Sequence, residues 1–506
     1  MNKQLKVGAL LNYISLFLSI LIGVVYTPFM LSQMGTSEYG LYALALSIVS
    51  YLNILDNGFS AGVVRYISYY RERQDKESIN KVINSSFLIY LILGIVCLCL
   101  GTILYNVIGS FYIGELNGQE IYRLKCIVLI LMVYISFNLP ASVFVSVITA
   151  CEDFILLKTA KIVQTLLVPM IMTPLLLQGY RSIAMSVVTT SIGVITMMFY
   201  ICYCLKKYNF QYSASYIDRN SLKEMILFAA PMLMIITCDC VCRSFGNFFI
   251  GAYGGTIGVT ILSLSIQLRG YFESFVKAVS SFFLPHFTKM IASKSDINVI
   301  SNDFIKISRL EFHIAFLLLS GFIWFGISFL EFWTSNIEVL KVFICSLIII
   351  VPLLFSMAES VGEEIVKAYN MQNKQLCIYI LRAIIVLIIT LIFTKKYSFY
   401  ACAFAIGFSA FVCDIILMNI LYARYIKLNV QSLLKSILPS IIFVLIGVGL
   451  KFFIFNNLSL IIQILVFLVY SLFYIIICLN KDEKKSILTL ILFKQKSNEK
   501  NIYSNN

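Results

Sequence analysis

The sequence predicts an all-α polytopic membrane protein of about fourteen transmembrane helices, and three observations lead there. First, 60% of the 506 residues are hydrophobic and only 13% are charged, with a mean hydropathy of +0.91. A soluble domain carries about 25% charged residues. Second, apolar runs of about 20 residues, the length of helix that crosses a bilayer, recur between short polar breaks, as in VINSSFLIYLILGIVCLCLGTILYNVIG and LIIQILVFLVYSLFYIIICL. Third, the strand-like alternation of an outer-membrane barrel is absent.

In chain order the spans centre near residues 20, 53, 92, 135, 167, 193, 238, 270, 318, 354, 384, 411, 443 and 469. The first is too long, and too polytopic in context, for a cleaved signal peptide. Of the 39 Lys and Arg residues, 27 fall in the N-terminus, the loops after even-numbered spans and the tail, seven on the opposite side and five within spans. By the positive-inside rule both termini are cytoplasmic, with Lys395 and Lys396 the main exceptions. The net charge of +14 is thus a topology signal and a contact with membrane lipids. It does not indicate nucleic acid, because the basic residues are dispersed among loops.

The predicted organisation is two parallel, pseudo-repeated six-helix lobes plus two extra C-terminal helices. Residues 1–205 form the N-terminal lobe, 206–221 a cytoplasmic inter-lobe loop and 222–425 the C-terminal lobe. Residues 426–480 hold spans 13 and 14, and 481–506 form a polar cytoplasmic tail. The repeat rests on LALSI at 44–48 matching LSLSI at 262–266, an offset that also pairs Gly40 with Gly258. Each motif follows a short turn, MGTSEYG or YGGTIG, and six spans separate them, so the halves point the same way. All eight prolines lie in or at the ends of spans, where they favour kinks.

Ionisable residues inside spans are costly and mark functional candidates. In span 2, Asp56 lies about 25 Å from the entry near Tyr39 and Arg65 about 39 Å, at the cytoplasmic boundary. Nine residues put them on opposite helix faces. Asn53 shares the face of Asp56, making a polar wall. In span 8, RGYFESFVK places Arg269, Glu273 and Lys277 at i, i+4 and i+8, with Arg269 about 20 Å deep. Glu273 neutralises one cation and leaves one net positive charge on the stripe. Asp239 and Arg243 in span 7 are again i, i+4; Arg382 in span 11 and Asp414 in span 12 are single charges. Glu359, Glu363 and Glu364 lie towards the cytoplasmic end of span 10, where they read as a helix exit.

No Walker loop and no large external loop is present, which argues against an ATPase, a glycosyltransferase or a polysaccharide polymerase. His286 and His313 sit near cytoplasmic helix ends. The 14 cysteines fall mostly in apolar runs; Cys238 and Cys242 share a face without zinc-ligand spacing, so they read as packing and no metal site is expected.

One segment carries a resemblance. TPFMLSQMGTSEYGLYALALSIVSYLNILDNGFSAGVVRYIS, Thr27 to Ser68, is similar to the N-terminal signature of Wzx-type oligosaccharide flippases in its G-x-x-E-Y-G-L-Y turn, D-x-G-F segment and R-Y-I-S. The resemblance implies the multidrug/oligosaccharidyl-lipid/polysaccharide exporter superfamily fold, with two lobes around a cavity. It implies alternating-access transport of a polyprenyl-diphosphate-linked oligosaccharide, an O-antigen, capsule or exopolysaccharide unit, from the inner to the outer leaflet of a bacterial inner membrane. The implied partners are that glycan, membrane lipids and the polysaccharide polymerase machinery; no cofactor is expected beyond a coupling H+ or Na+. Arginine suits a diphosphate because its planar fork binds two oxygens. The substrate ligands are then expected to be Arg269 first, followed by Lys277, Arg65, Arg243 and Arg382, with Asn53 facing sugars. Asp56, Asp239, Glu273 and Asp414 are the cavity or coupling-ion candidates. The alternatives are a multidrug cation antiporter of the same superfamily, a peptidoglycan-precursor flippase or a polysaccharide polymerase.

Overall fold

Each of the fourteen predicted span centres falls inside a helix of the computed structural model, and no strand occurs among the described residues. The structure describes residues 3–208, 219–280, 284–293, 295–334, 338–369, 371–451, 459–480 and 483–484. The side chains of 3–6, 9, 53, 55, 57–58, 219–229, 232, 278–280, 284–286, 292, 357–358 and 460 are not among the described ones. Much of the predicted inter-lobe loop and nearly all of the polar tail therefore lie outside the described residues, as do the side chains of Asn53 and His286.

The first six helices are α1 (Lys3–Met34), α2 (Thr36–Glu72), α3 (Lys76–Tyr112), α4 (Gly118–Ala150), α5 (Phe154–Leu177) and α6 (Ser182–Tyr208). Next come α7 (Arg219–Tyr253), α8 (Gly255–Ser280), the short α9 (Leu284–Ala292), α10 (Ile297–Trp333), α11 (Val339–Ala358) and the short α12 (Ser360–Ala368). The chain continues through α13 (Gln372–Tyr397), α14 (Phe399–Ser409) and α15 (Met418–Leu421) to α16 (Val430–Leu450) and α17 (Leu460–Cys478). Ala410–Leu417 and Tyr422–Ile426, either side of α15, are π-helical.

The helix breaks have local causes. Gly35, Gly179 and Gly255 take positive φ at the turns before α2, α6 and α8, a conformation that costs glycine little. Asp75 caps α3 by accepting from the Ser78 amide at 3.0 Å. Asn117 and Glu120 form a reciprocal capping box at the start of α4.

Twelve helices among the described residues are long and apolar enough to cross a bilayer, which makes this a multi-pass membrane protein. They include the continuous stretch from Phe399 to Ile426 but neither α2 nor α8. With 37 and 26 residues those two are long enough to cross. Twelve is the number that length and composition alone support, and a count of fourteen depends on α2 and α8.

The chain divides into two compact units. The first is Met1–Ser274, Ser328–Leu353 and Asn370–Met418. In it α2 packs against α3, α4 and α7, α4 against α6, α1 against α5, and α7 against α13. The second is Phe275–Ile327, Leu354–Tyr369 and Asn419–Asn506, where α9 packs on α12 and α16 on α17.

The GTSEYGLY turn pins α2 at both flanks. Buried Glu38 accepts hydrogen bonds from Arg123 on α4 and Ser182 on α6. Tyr39 donates to Gln267 on α8 at 3.1 Å, and Thr260 to the Thr36 carbonyl at 2.9 Å. Further along, Asn247 donates to Ser47 at 2.9 Å and Ser50 to Ser244 at 2.8 Å, joining α2 to α7. Gly40 allows this close approach: a Cβ there would lie 2.2 Å from the Thr256 carbonyl oxygen, which is backbone and cannot yield cheaply. Small residues at such contacts are the usual means of bringing membrane helices together.

A Gly40→Val substitution should accordingly destabilise the protein by about 1–3 kcal/mol or more, lowering its unfolding midpoint in detergent. Gly114→Ala, where a Cβ meets nothing within 4 Å, should leave the midpoint where it is. An unchanged midpoint for Gly40→Val would show that α2 and α8 do not meet this closely.

Candidate functional site: a buried charge cluster in the helical bundle

The cluster grows from α7 and α8. Asp239 and Arg243 lie one turn apart on α7, and the Arg243 Nε donates to Asp239 Oδ2 at 2.8 Å, the i, i+4 pairing expected from the spacing. The other side of the Arg243 guanidinium reaches α8, where Nη2 meets the two Glu273 oxygens at 3.2 and 3.1 Å. Arg269 lies one turn before Glu273 on α8 yet stays 3.9 Å from it. The spacing thus gives Glu273 a long i, i+4 ion pair with Arg269. Its nearer partner is Arg243, because the packing of α8 beside α7 carries that guanidinium onto the carboxylate.

Arg382 and Asp414, read as single charges, also pair. Arg382 Nη1 on α13 lies 2.9 Å from Asp414 Oδ2, and both side chains are almost fully buried. Asp414 sits in the π-helical segment Ala410–Leu417. Such wide turns inside long helices occur frequently at functional sites. Asp239 lies within electrostatic reach of Arg269 and Arg382 as well as of Arg243, so the two pairs belong to one field. Three carboxylates (Asp239, Glu273, Asp414) face three guanidiniums (Arg243, Arg269, Arg382). The formal sum of these six is zero; the span 8 stripe taken alone, with Lys277, keeps its one surplus positive charge.

The balance of charge hides an imbalance of hydrogen bonds. Arg269 is 2% exposed and its Nε and Nη1 are buried with no hydrogen-bond partner. Arg382, 4% exposed, leaves Nε and Nη2 in the same condition. A buried donor without an acceptor costs about 1–3 kcal/mol, and more for a charged group. Chemically, the cluster offers unsatisfied guanidinium edges to an anion carrying several oxygens, and carboxylates that can exchange a proton or hold a small cation.

The remaining candidates lie elsewhere. Asp56 faces α3 and α4: the Tyr90 hydroxyl donates to its backbone carbonyl at 3.1 Å, and one buried carboxylate oxygen, Oδ1, has no hydrogen-bond partner. Tyr90 and Tyr134 lie within electrostatic reach of its carboxylate. Arg65 is exposed near the end of α2, and Lys277 is exposed two turns beyond Arg269 on α8. Cys238 and Cys242 pack against Ala383, Val386 and Ala405, as their apolar setting suggested. No group of three or more His, Cys, Asp or Glu side chains among the described residues is placed to hold a metal ion.

In the second unit the structure buries several polar groups, some of them, such as Glu311 and Glu483, not singled out by the sequence. Glu311 and Glu359 are both buried. Ser360 donates to Glu311 at 3.3 Å, and the Asn419 Nδ2 to Glu359 at 2.8 Å. Glu359 lies at the end of α11, at its break with α12, and is buried there. His313, expected near a helix end, is buried in mid-α10 with Nδ1 3.0 Å from the Tyr474 hydroxyl. Arg309 and Glu483 pair beside it at 2.9 Å. These partners are up to 174 residues apart, so no local spacing could have announced them.

A family model described as "Polysaccharide biosynthesis protein" matches residues 5–291. No curated protein matches the chain by sequence. Among solved structures, the lipid II flippase MurJ in an inward closed conformation is 14% identical with a TM-score of 0.69, covering 96% of this chain and 100% of that one. An inward-facing multidrug resistance MATE family transporter of the MOP superfamily is 15% identical with a TM-score of 0.64, covering 83% and 95%. A MOP superfamily transporter from Pyrococcus furiosus is 14% identical at 0.59, covering 84% and 96%. At such identities the likeness is one of fold, and the fold is that of membrane transporters.

The Arg382–Asp414 pair can be tested by a double-mutant cycle. Arg382→Met and Asp414→Leu should each cost about 3–5 kcal/mol, because each strands a buried charge. The double variant should recover most of that loss, read as the unfolding midpoint of the purified protein in detergent. Additive losses would mean that the two side chains do not interact.

Proposed function

This chain belongs to the polysaccharide biosynthesis protein family, and from that premise we propose that it is a flippase for a polyprenyl-diphosphate-linked oligosaccharide. The single observation that supports this reading is the pair of orphaned donors on buried Arg269, reinforced by those on Arg382. A diphosphate supplies several acceptor oxygens in a compact anion, and a guanidinium fork binds two of them at once. A lipid-linked sugar diphosphate brings these oxygens while its hydrocarbon tail stays in the bilayer.

In this reading Arg269 is the principal diphosphate ligand and Arg382 and Arg243 assist it. Because the cluster is formally neutral, an anion is drawn in by exchange of partners rather than by excess charge. Protonation of Asp239, Glu273 or Asp414, or capture of Na+ by them, frees an arginine for the substrate, which couples translocation to an ion. Arg65 and Asp56 on α2, and Lys277 on α8, are further candidates. The residues from 1 to 205 and from 222 to 425 act as two lobes that rock about an axis along the membrane normal. Both termini face the cytoplasm of a bacterial cell, all fourteen long helical stretches cross the inner membrane, and the glycan passes to the polysaccharide polymerase machinery on the far side.

The test uses a strain lacking the protein. A complete oligosaccharide repeat on its polyprenyl carrier should accumulate on the cytoplasmic leaflet and clear when the wild type is restored. Arg269→Ala, expressed at the wild-type level, should lower export at least about tenfold, the effect of losing one hydrogen bond to a charged group. Arg269→Lys should remain impaired, since an ammonium lacks the bidentate fork. Wild-type export by Arg269→Ala would refute the role given to Arg269. Intact surface glycan in the deletion strain would remove the flippase reading altogether.

A further inference from the structure

A groove of about 710 Å³ runs between α5 and α6, away from the charge cluster, and the proposed transport has no use for it. Its walls are aliphatic and aromatic, with Leu156, Val163 and Leu167 on one side and Ile192, Ile195 and Phe199 on the other. Val163, Ile195 and Phe199 are about half exposed or more. Of the twelve bilayer-length helices, α5 is the one with the smallest buried share. A gap of this size and composition lies within the range of a ligand site, about 300–1,000 Å³.

One end of the groove is built quite differently. Asp153 lies at the turn between α4 and α5, and Lys207 lies on the last turn of α6. Lys207 Nζ donates to Asp153 Oδ2 at 2.6 Å and to the Tyr203 hydroxyl at 2.8 Å. The Tyr203 hydroxyl, at 3.2 Å, and the Tyr208 hydroxyl also donate to Oδ2. The ammonium lies 5.1 Å from the Tyr203 ring centre and 5.3 Å from that of Tyr208. Burial pushes the Asp153 carboxyl up, but Lys207 and the tyrosine hydroxyls outweigh it and hold the group below its ordinary range. The end of the groove therefore presents a fixed carboxylate and a half-exposed ammonium side by side, flanked by the tyrosines that favour a membrane–water boundary.

We propose that this groove is a binding site for one glycerophospholipid, whose chain fills the α5–α6 cleft and whose head lies against Asp153, Tyr203 and Lys207. The phosphate takes Lys207 and a tyrosine hydroxyl, and the amine or hydroxyl of the head takes Asp153. A head with both a phosphate and a donor complements this pair of opposite charges. A sugar diphosphate, with more negative charge, would meet Asp153 in repulsion. Length argues the same way. From Lys207 to Ile192 the groove follows about 22 Å of helix, which is half of a bilayer about 40–45 Å thick with its headgroups. One leaflet's phospholipid fits that span, and a long polyprenyl chain would overrun it.

The full-length protein, reconstituted with a phosphatidylethanolamine that carries a photoreactive diazirine in its acyl chain, provides the test. Mass spectrometry should place crosslinks on α5 and α6, around Val163, Leu167, Ile195 and Phe199. Leu167→Trp, which fills the groove, and Lys207→Glu, which reverses the charge of the head site, should each lower this labelling about tenfold. Labelling of the exposed α17 residues Ile461, Leu465 and Ile476 should be unchanged in both, which also reports that the variants are folded. Equal labelling of all lipid-facing helices, insensitive to both substitutions, would identify ordinary annular lipid and overturn the site. Capture of a photoreactive polyprenyl phosphate there, not displaced by phosphatidylethanolamine, would overturn the phospholipid assignment in favour of a carrier tail. Both readouts are independent of glycan export, so they stand or fall separately from the flippase reading.

Discussion

A guanidinium on a membrane-spanning helix needs carboxylates, and the partly buried Arg243 side chain finds two, Asp239 on its own helix and Glu273 on the next. Much of the first unit is arranged around that requirement. Glu273 can serve Arg243 only if α8 lies against α7, and α2 holds both helices through Gln267, Ser244 and Asn247. On the other flank α7 packs against α13, where Arg382 finds its counter-charge in Asp414. Low dielectric makes each of these pairs costly to break on one side and nearly neutral to replace on both. Such pairs are therefore weak grounds for stability.

Matched charge and unmatched hydrogen bonding are separate properties, and the cluster has both. Six ionised groups sum to zero, which makes burial tolerable in the absence of a ligand. The planar arginines nevertheless keep donors that no neighbouring oxygen reaches. A multivalent anion would satisfy them, and in doing so would compete with Glu273 and Asp414 for the same guanidiniums. In the proposed mechanism, that competition links anion binding to loading of a proton or Na+ through common residues. The groove at α5 and α6 follows a different logic. Its opposite charges are already paired at the edge of an apolar cleft, which suits a neutral or singly charged lipid head.

Reading the residues in order revealed those features that depend on spacing along one helix. Apolar runs marked the helices, and the i, i+4 relation of Asp239 and Arg243 survived intact because an α-helix forces it. The turn GTSEYGLY was recognisable as a signature, but its mechanical meaning was not. Glu38 turned out to clasp α4 and α6, and Gly40 to admit the Thr256 carbonyl. Packing added a partner that spacing could not offer: Glu273 keeps Arg269 at 3.9 Å and meets Arg243 of α7 at 3.1 Å. Glu359 does lie at a helix end, after Ala358, but buried there; His313, expected near an end, lies in mid-α10 against Tyr474 of α17.

By itself the sequence determined that this chain is helical and embedded in a membrane, because about 20 consecutive apolar side chains leave the backbone no other way to satisfy its hydrogen bonds in lipid. It also determined which ionisable groups would have to be accommodated there, since their positions along each helix are set by 1.5 Å per residue. Only the tertiary structure decided how they are matched. The partners of Arg382, Glu359 and His313 come from other helices, and the free energy of a buried charge depends on the oxygen or nitrogen that packing brings within about 3 Å.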